Sequence, residues 1–151
     1  MVVEMSVSWA RYSEVSVSQG KLVENLTDSS TNISKKIIDL LNSPKPEIYR
    51  HEIRVKGEEV GELFLMKNIP LDNDVTIHSL VVNDVNRGHA YGTKALLAVE
   101  RKLSEMMVCN FWAVNLIING RGTYFLLRAG FTPSQNQGQG ELNWFIRGGQ
   151  K

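Results

Sequence analysis

Between residues 75 and 97 the chain reads VTIHSLVVNDVNRGHAYGTKALL, and the residues best suited to chemistry fall in this stretch. His78 carries an imidazole, which titrates near neutral pH and suits a general base. A histidine hydrogen-bonded on a half-buried sheet would account for the same residue without a catalytic role. Arg87 and Gly88 open a turn that continues through His89, Ala90 and Tyr91 to Gly92 and Thr93. Where an apolar strand passes through such a turn into a helix, several backbone N–H groups lack partners and the helix dipole favours negative charge. A phosphate or pyrophosphate is the natural ligand. Arg87 would add a fixed positive charge, and Gly88 and Gly92 would let the backbone come close to an anion. A plain strand-to-helix connection, its glycines serving turn geometry alone, is the competing reading.

The flanking elements must position these groups. Residues 75–82 form an apolar strand ahead of the turn. From residue 92 to about 107, Ala95, Leu96, Val99, Leu103 and Met106 recur at helical spacing and predict a long amphipathic helix. Residues 111–117 predict a short buried strand. Residues 119–129 predict a shorter helix stopped by Gly130, and residues 142–147 a last strand reached through the polar loop 134–140. Ahead of this block, alternating Val3, Met5, Val7 and Trp9 make residues 2–17 a first strand. Residues 20–42 read as an interrupted helical region, broken at Asp28, Ser29 and Ser30, with Asn32 or Ser34 as a second cap. Prolines 44 and 46 end it. Residues 48–55 and 60–66 form two strands at hairpin spacing around the turn 56–59. The order implies a mixed α/β sheet with helices on its faces, and the propensities alone also permit other α+β arrangements.

At 151 residues the chain is long enough for one domain with a real core, so residues 1–151 read as a single unit. A net charge of +1 disfavours a strongly basic nucleic-acid binder. The single cysteine, Cys109, allows no internal disulfide, suits a reducing compartment and reads as a small buried hydrophobe. No stretch is long and apolar enough to cross a bilayer, and the first residues lack the pattern of a signal peptide, so the expected setting is cytoplasmic. Three scattered histidines and one cysteine show no metal-ligand spacing. His51 has no evident partner. Phe111, Trp112 and Trp144 read as sheet and core aromatics, and Glu58 and Glu59 as solvated charges.

Residues 87–92, RGHAYG, preceded by Leu80-Val81-Val82, resemble the acyl-coenzyme A signature Q/R-x-x-G-x-G/A of the GCN5-related N-acetyltransferase (GNAT) family. Residues 119–131, NGRGTYFLLRAGF, are similar to that family's second signature, an asparagine opening a helix that ends in Gly-Phe. The resemblance covers roughly residues 75–131. It implies the family's central mixed, mostly antiparallel sheet of six to seven strands with helices on both faces, acetyl-coenzyme A as cosubstrate, and an amine acceptor, either a small molecule or a protein. It also implies that the N–H groups of residues 88–93, with Arg87 nearby, hold the pyrophosphate, and that Asn119 belongs to the cofactor region. Strands four and five splay apart in the family, so the backbone of Leu80, Val81 and Val82 would pair with the pantetheine arm. Some arylalkylamine acetyltransferases place a histidine base at the point matching His78, and His78 and Leu80, two residues apart on a strand, are expected to share a face.

Two positions depart from the family pattern. Ala90 stands where glycine is usual, and a negative φ there, at the start of a helix, is expected to make alanine cheap. Leu126 stands where the family's general-acid tyrosine would align, and leucine donates no proton. Tyr124, about 200° around the helix from that position, is expected to be a partly buried packing residue. The leading function is transfer of an acetyl group from acetyl-coenzyme A to a primary amine by direct attack in a ternary complex. The alternative is a non-catalytic binding or regulatory protein that keeps the fold. The family is often dimeric, and an exposed final strand would offer an edge for a homodimer. Acidic residues Glu24, Asp28, Asp72 and Asp74 could contribute to a cleft for a cationic acceptor.

Overall fold

The computed structural model describes residues 8–23, 47–69, 71–86, 88–116, 120–133 and 142–147. The expectations for residues 2–7, for the helical region beyond residue 23 with Glu24 and Asp28, for Arg87 and Asn119, and for the loop 134–140 lie outside these residues.

Where one strand over residues 2–17 was expected, the described part folds as a hairpin, β1 (Ser8–Tyr12) and β2 (Val15–Ser18). It reverses at Ser13-Glu14, where Ser13 takes φ +59°. Directly opposed residues of an antiparallel pair point to the same face. Ala10 opposite Val17 and Tyr12 opposite Val15 therefore share the core face, and the alternation shifts by one residue across the reversal. Lys21–Leu22 form β3, paired with Arg50 and Tyr49, which corrects the helical reading at its first residues. β4 (Ile48–Val55) and β5 (Glu58–Lys67) are joined by Lys56 and Gly57 alone, at φ +54° and +83°. Two successive positive φ values match the twist of the strands, giving a tighter turn than the tetrapeptide expected.

The functional block follows as β6 (Asp74–Val82), a 3-10 turn (Asp84–Asn86), α1 (Tyr91–Glu105), β7 (Asn110–Leu116), α2 (Gly120–Arg128), β8 (Phe131–Pro133) and β9 (Leu142–Arg147). Among the described residues nine strands run in the order β1-β2-β4-β5-β6-β7-β9-β8, with β3 also on β4. Every pair is antiparallel except β6–β7. The mixed, mostly antiparallel sheet is as expected. Its additional strands come from the split hairpin and from β3 and β8, which are too short to show a period. The final strand is not an edge: β9 lies between β7 and β8, so β1 and β8 end the order. Pro133, which cannot donate to a ladder, sits on the edge strand β8.

Both described helices pack on one face of the sheet. Ala95, Leu96, Val99 and Leu103 of α1 join Leu126 of α2, Val15, Val17, Ile53, Leu63, Ile77 and Phe131 in one core. Met106, expected on that face, follows the end of the helix and is 49% exposed. The opposite face carries a smaller cluster of Ile48, Met66, Ile69, Trp112 and Val114.

Candidate functional site

The site starts from a defect in β6. Leu65 pairs with Ile77 and Phe64 with Ser79, so His78 is an extra residue in β6, a β-bulge. A bulge bends its strand and increases the local twist. The parallel ladder with β7 runs through Asp74↔Asn110, Val75↔Phe111 and Thr76↔Trp112 and stops at Ile77↔Ala113, one residue before the bulge. β6 nevertheless continues to Val82 and β7 to Leu116. The two strands therefore form a fork that is closed below Ile77 and open above it. Burial follows the same line: Asp74 to His78 are buried, whereas Ser79 to Val82 are partly or well exposed. On its other side the open arm of β6 lies close to β5, where a Cβ on Gly61 would meet the Val81 carbonyl oxygen at 2.3 Å. Only glycine fits there.

Asp74 fastens the closed end. Its carboxylate accepts hydrogen bonds from Asn110 Nδ2 at 3.1 Å and from Trp112 Nε1 at 3.0 Å, and the residue is 1% exposed. This corrects the expectation that Asp74 contributes to an acidic cleft. Because it lies next to Asp72 and Asn73 it reads as part of a polar loop, and only the β6–β7 pairing shows its role.

The bulge also overturns the expected facing of His78 and Leu80. Leu80 packs with Ile77 on the helix-covered core. His78 is 2% exposed and lies edge-on to Phe64, ring centroids 6.3 Å apart, and Phe64 belongs to the opposite cluster. The extra residue shifts the alternation by one, so the two side chains leave opposite faces.

Beyond the fork, the turn enters α1 through Gly88 at φ +93° and Ala90 at φ +61°, with His89 between them outside the positive region. Ala90 was expected at negative φ. It is instead left-handed, with ψ 25°, as the N-cap residue of α1. In that conformation a Cβ crowds the following carbonyl and costs about 1–2 kcal/mol. Alternation in the sign of φ tends to bring successive N–H groups together into a concavity for anions. Residues 88–90 are exposed, a Cβ at Gly88 would meet nothing within 4 Å, and the first turn of α1 holds no acidic residue. Each observation fits an anion-binding turn, as does the open fork beside it for an extended arm. Gly92 brings the start of α1 against both neighbours: a Cβ there would lie 3.3 Å from Leu80 Cδ2 and 3.4 Å from the Phe125 ring. Tyr91 is partly buried against the core and stacks with His89, centroids 5.2 Å apart. Thr93 borders a crevice between α1 and the end of α2 that Glu100 and Arg147 also line.

Other residues are placed differently from expectation. Leu126 is 7% exposed within the core. Tyr124 faces away from it and is exposed rather than packed, its hydroxyl accepting from Arg128 Nη1 at 3.3 Å. Cys109 is exposed rather than buried. His51 has a partner after all: its Nδ1 lies 2.8 Å from Ser18 O and its ring 4.8 Å from that of Trp9, and burial lowers its pKa. Glu59 is paired with Arg50 at 2.6 Å. The pairing of Lys94 in the first turn of α1 with Glu14, at 3.1 Å, has no local signature because the partners lie in distant parts of the chain. Among the described residues no group of three potential ligands could hold a metal ion, and no helix is long and apolar enough to cross a membrane.

No family model and no curated protein matches the chain by sequence. Solved structures do match by fold. An acetyltransferase from Thermus thermophilus has a TM-score of 0.56 at 18% identity, covering 85% of this chain and 96% of its own. The PaiA N-acetyltransferase from Thermoplasma acidophilum, in complex with coenzyme A, has a TM-score of 0.57 at 15% identity, over 66% of this chain and 60% of its own. A Bacillus subtilis acetyltransferase in complex with coenzyme A has a TM-score of 0.53 at 16% identity, over 85% and 96%. The chain therefore has the GNAT acetyltransferase fold.

Proposed function

We propose that this chain is a GNAT-family N-acetyltransferase of one domain, cytoplasmic, which transfers the acetyl group of acetyl-coenzyme A to a primary amine by direct attack in a ternary complex. The observation that carries this reading is the fork that opens at Ile77 beside an exposed anion-binding turn. The N–H groups of residues 88–93, with Arg87, hold the pyrophosphate, and the backbone of Leu80, Val81 and Val82 pairs with the pantetheine arm. Bound this way, the thioester supplies an activated acetyl group. An N–H near the bulge polarises its carbonyl, as an oxyanion hole does. His78 accepts the proton of the attacking amine through water. With Leu126 buried in the core, the departing thiolate takes its proton from water. Two of the three structural neighbours described above are coenzyme A complexes, which supports the choice of cosubstrate. The acceptor is a small-molecule or protein amine.

A second reading, a non-catalytic protein that retains coenzyme A binding, is favoured by one observation: Leu126 has no proton to give and is fully used in packing. Thiol release from acetyl-coenzyme A across a panel of primary amines separates the two. Release that falls by about a hundredfold in His78→Ala, with acetyl-coenzyme A affinity unchanged, is the expected result. A protein that binds the cosubstrate but releases thiol with no amine follows the second reading. An unimpaired His78→Ala variant removes His78 from the mechanism.

A further inference from the structure

The turn bears an aromatic surface that phosphate binding does not explain. His89 is exposed, and its ring lies on that of Tyr91 with centroids 5.2 Å apart and planes 25° from parallel. Tyr91 is itself seated against the core as the first residue of α1. One face of the imidazole is thus backed by an anchored ring, and the residue remains open to solvent. Such a shelf is already ordered, so a planar group that settles on it loses little additional side-chain freedom. The backbone that carries the shelf is the same backbone whose alternating φ values shape the anion cradle. A planar group held there would lie within a few bonds of a phosphate in the cradle, the arrangement a nucleotide presents.

We propose that the outer face of His89, backed by Tyr91, is a stacking surface for the adenine of the acyl donor. This rests on the assignment of the turn to a pyrophosphate. It specifies the donor class: an adenine-nucleotide thioester rather than an acyl group on a protein-borne phosphopantetheine, which has a phosphate but no base. Stacking of a base on an aromatic side chain tolerates substitution of one ring for another and depends on the flat face rather than on charge.

The test is calorimetric titration of the full chain with coenzyme A and with 4′-phosphopantetheine, using the wild type, His89→Ala and His89→Phe. The proposal expects the wild type to prefer coenzyme A. It expects His89→Ala to lose about five- to tenfold in coenzyme A affinity and His89→Phe to recover it. Because His89 is exposed, neither substitution threatens the fold, and equal melting temperatures confirm this. Coenzyme A binding that is the same in all three proteins overturns the shelf while leaving the pyrophosphate assignment standing. So does a loss in His89→Phe equal to that in His89→Ala, which would point to an imidazole–phosphate contact. Wild-type affinity for phosphopantetheine equal to that for coenzyme A also overturns it. A wild type that binds neither ligand overturns both the shelf and the assignment on which it rests.

Discussion

Ala90 enters α1 in a left-handed conformation that its Cβ resists. Alanine is the strongest helix former and stands at a helix start, so a negative φ is the natural expectation. The turn imposes φ +61° instead. Ala90→Gly should therefore stabilise the fold by about 1 kcal/mol, seen as a higher melting temperature, and should not weaken acetyl-coenzyme A binding. Destabilisation would mean that the Cβ makes a favourable contact outweighing the strain. Leu126→Ala should cost about 2–5 kcal/mol, as for other buried leucines, because the side chain serves the core. The turn into α1 was legible because its glycines and the strand-to-helix change are local signals. The facing of His78 was not, because nothing within VTIHSLVV marks a bulge. It arises from how β6 pairs with β5.

At the scale of elements, the contacts that position the site join segments far apart in sequence. Arg147 of β9 donates to both carboxylate oxygens of Glu100 in α1, at 2.7 and 3.1 Å, and through Nη1 to Ala129 O at 2.9 Å, just after α2. One guanidinium thus ties both helices to the last strand. Gly130 makes room for it: its φ is +99°, and a Cβ there would lie 1.7 Å from Arg147 Nη1. Gly130→Ala should destabilise by about 2 kcal/mol or more, combining backbone strain with loss of the guanidinium's position, as denaturant unfolding would show. A near-neutral result would show that Arg147 relocates freely. Gly130 was legible as a helix stop, but its second role was not, since the arginine comes from another strand. The short elements β3 and β8 were missed for a related reason: two or three residues carry no period, and pairing alone defines them.

For the whole molecule, the order of strands and helices was legible because long periodic segments encode it. The hairpin at the start was not, because Ser13-Glu14 carries no glycine, proline or asparagine to mark the reversal. That hairpin brings His51 beneath Trp9 and against Ser18, which gives stability a pH dependence. Burial holds the His51 pKa below 6.5, so the unfolded chain takes up the proton more readily. Stability is fully present above that value and is lost as pH falls towards the folded pKa. The Glu14 carboxyl, lowered to about 2 chiefly by its hydrogen bond from Ser13, acts in the same direction but only below 4.5. Chemical denaturation across pH should therefore show a decline that begins just below 6.5 and is flattened there in His51→Gln. No decline in that interval would mean that the ring is protonated in the fold at no cost.

The central claim is that the β6–β7 fork and the turn before α1 together hold acetyl-coenzyme A. Amide hydrogen exchange with and without acetyl-coenzyme A tests it most directly, since it locates binding without altering a residue or requiring turnover. Exchange should slow at residues 80–82 and 88–93, with little change in the β1–β2 hairpin. Protection confined elsewhere, or none at saturating ligand, would contradict it.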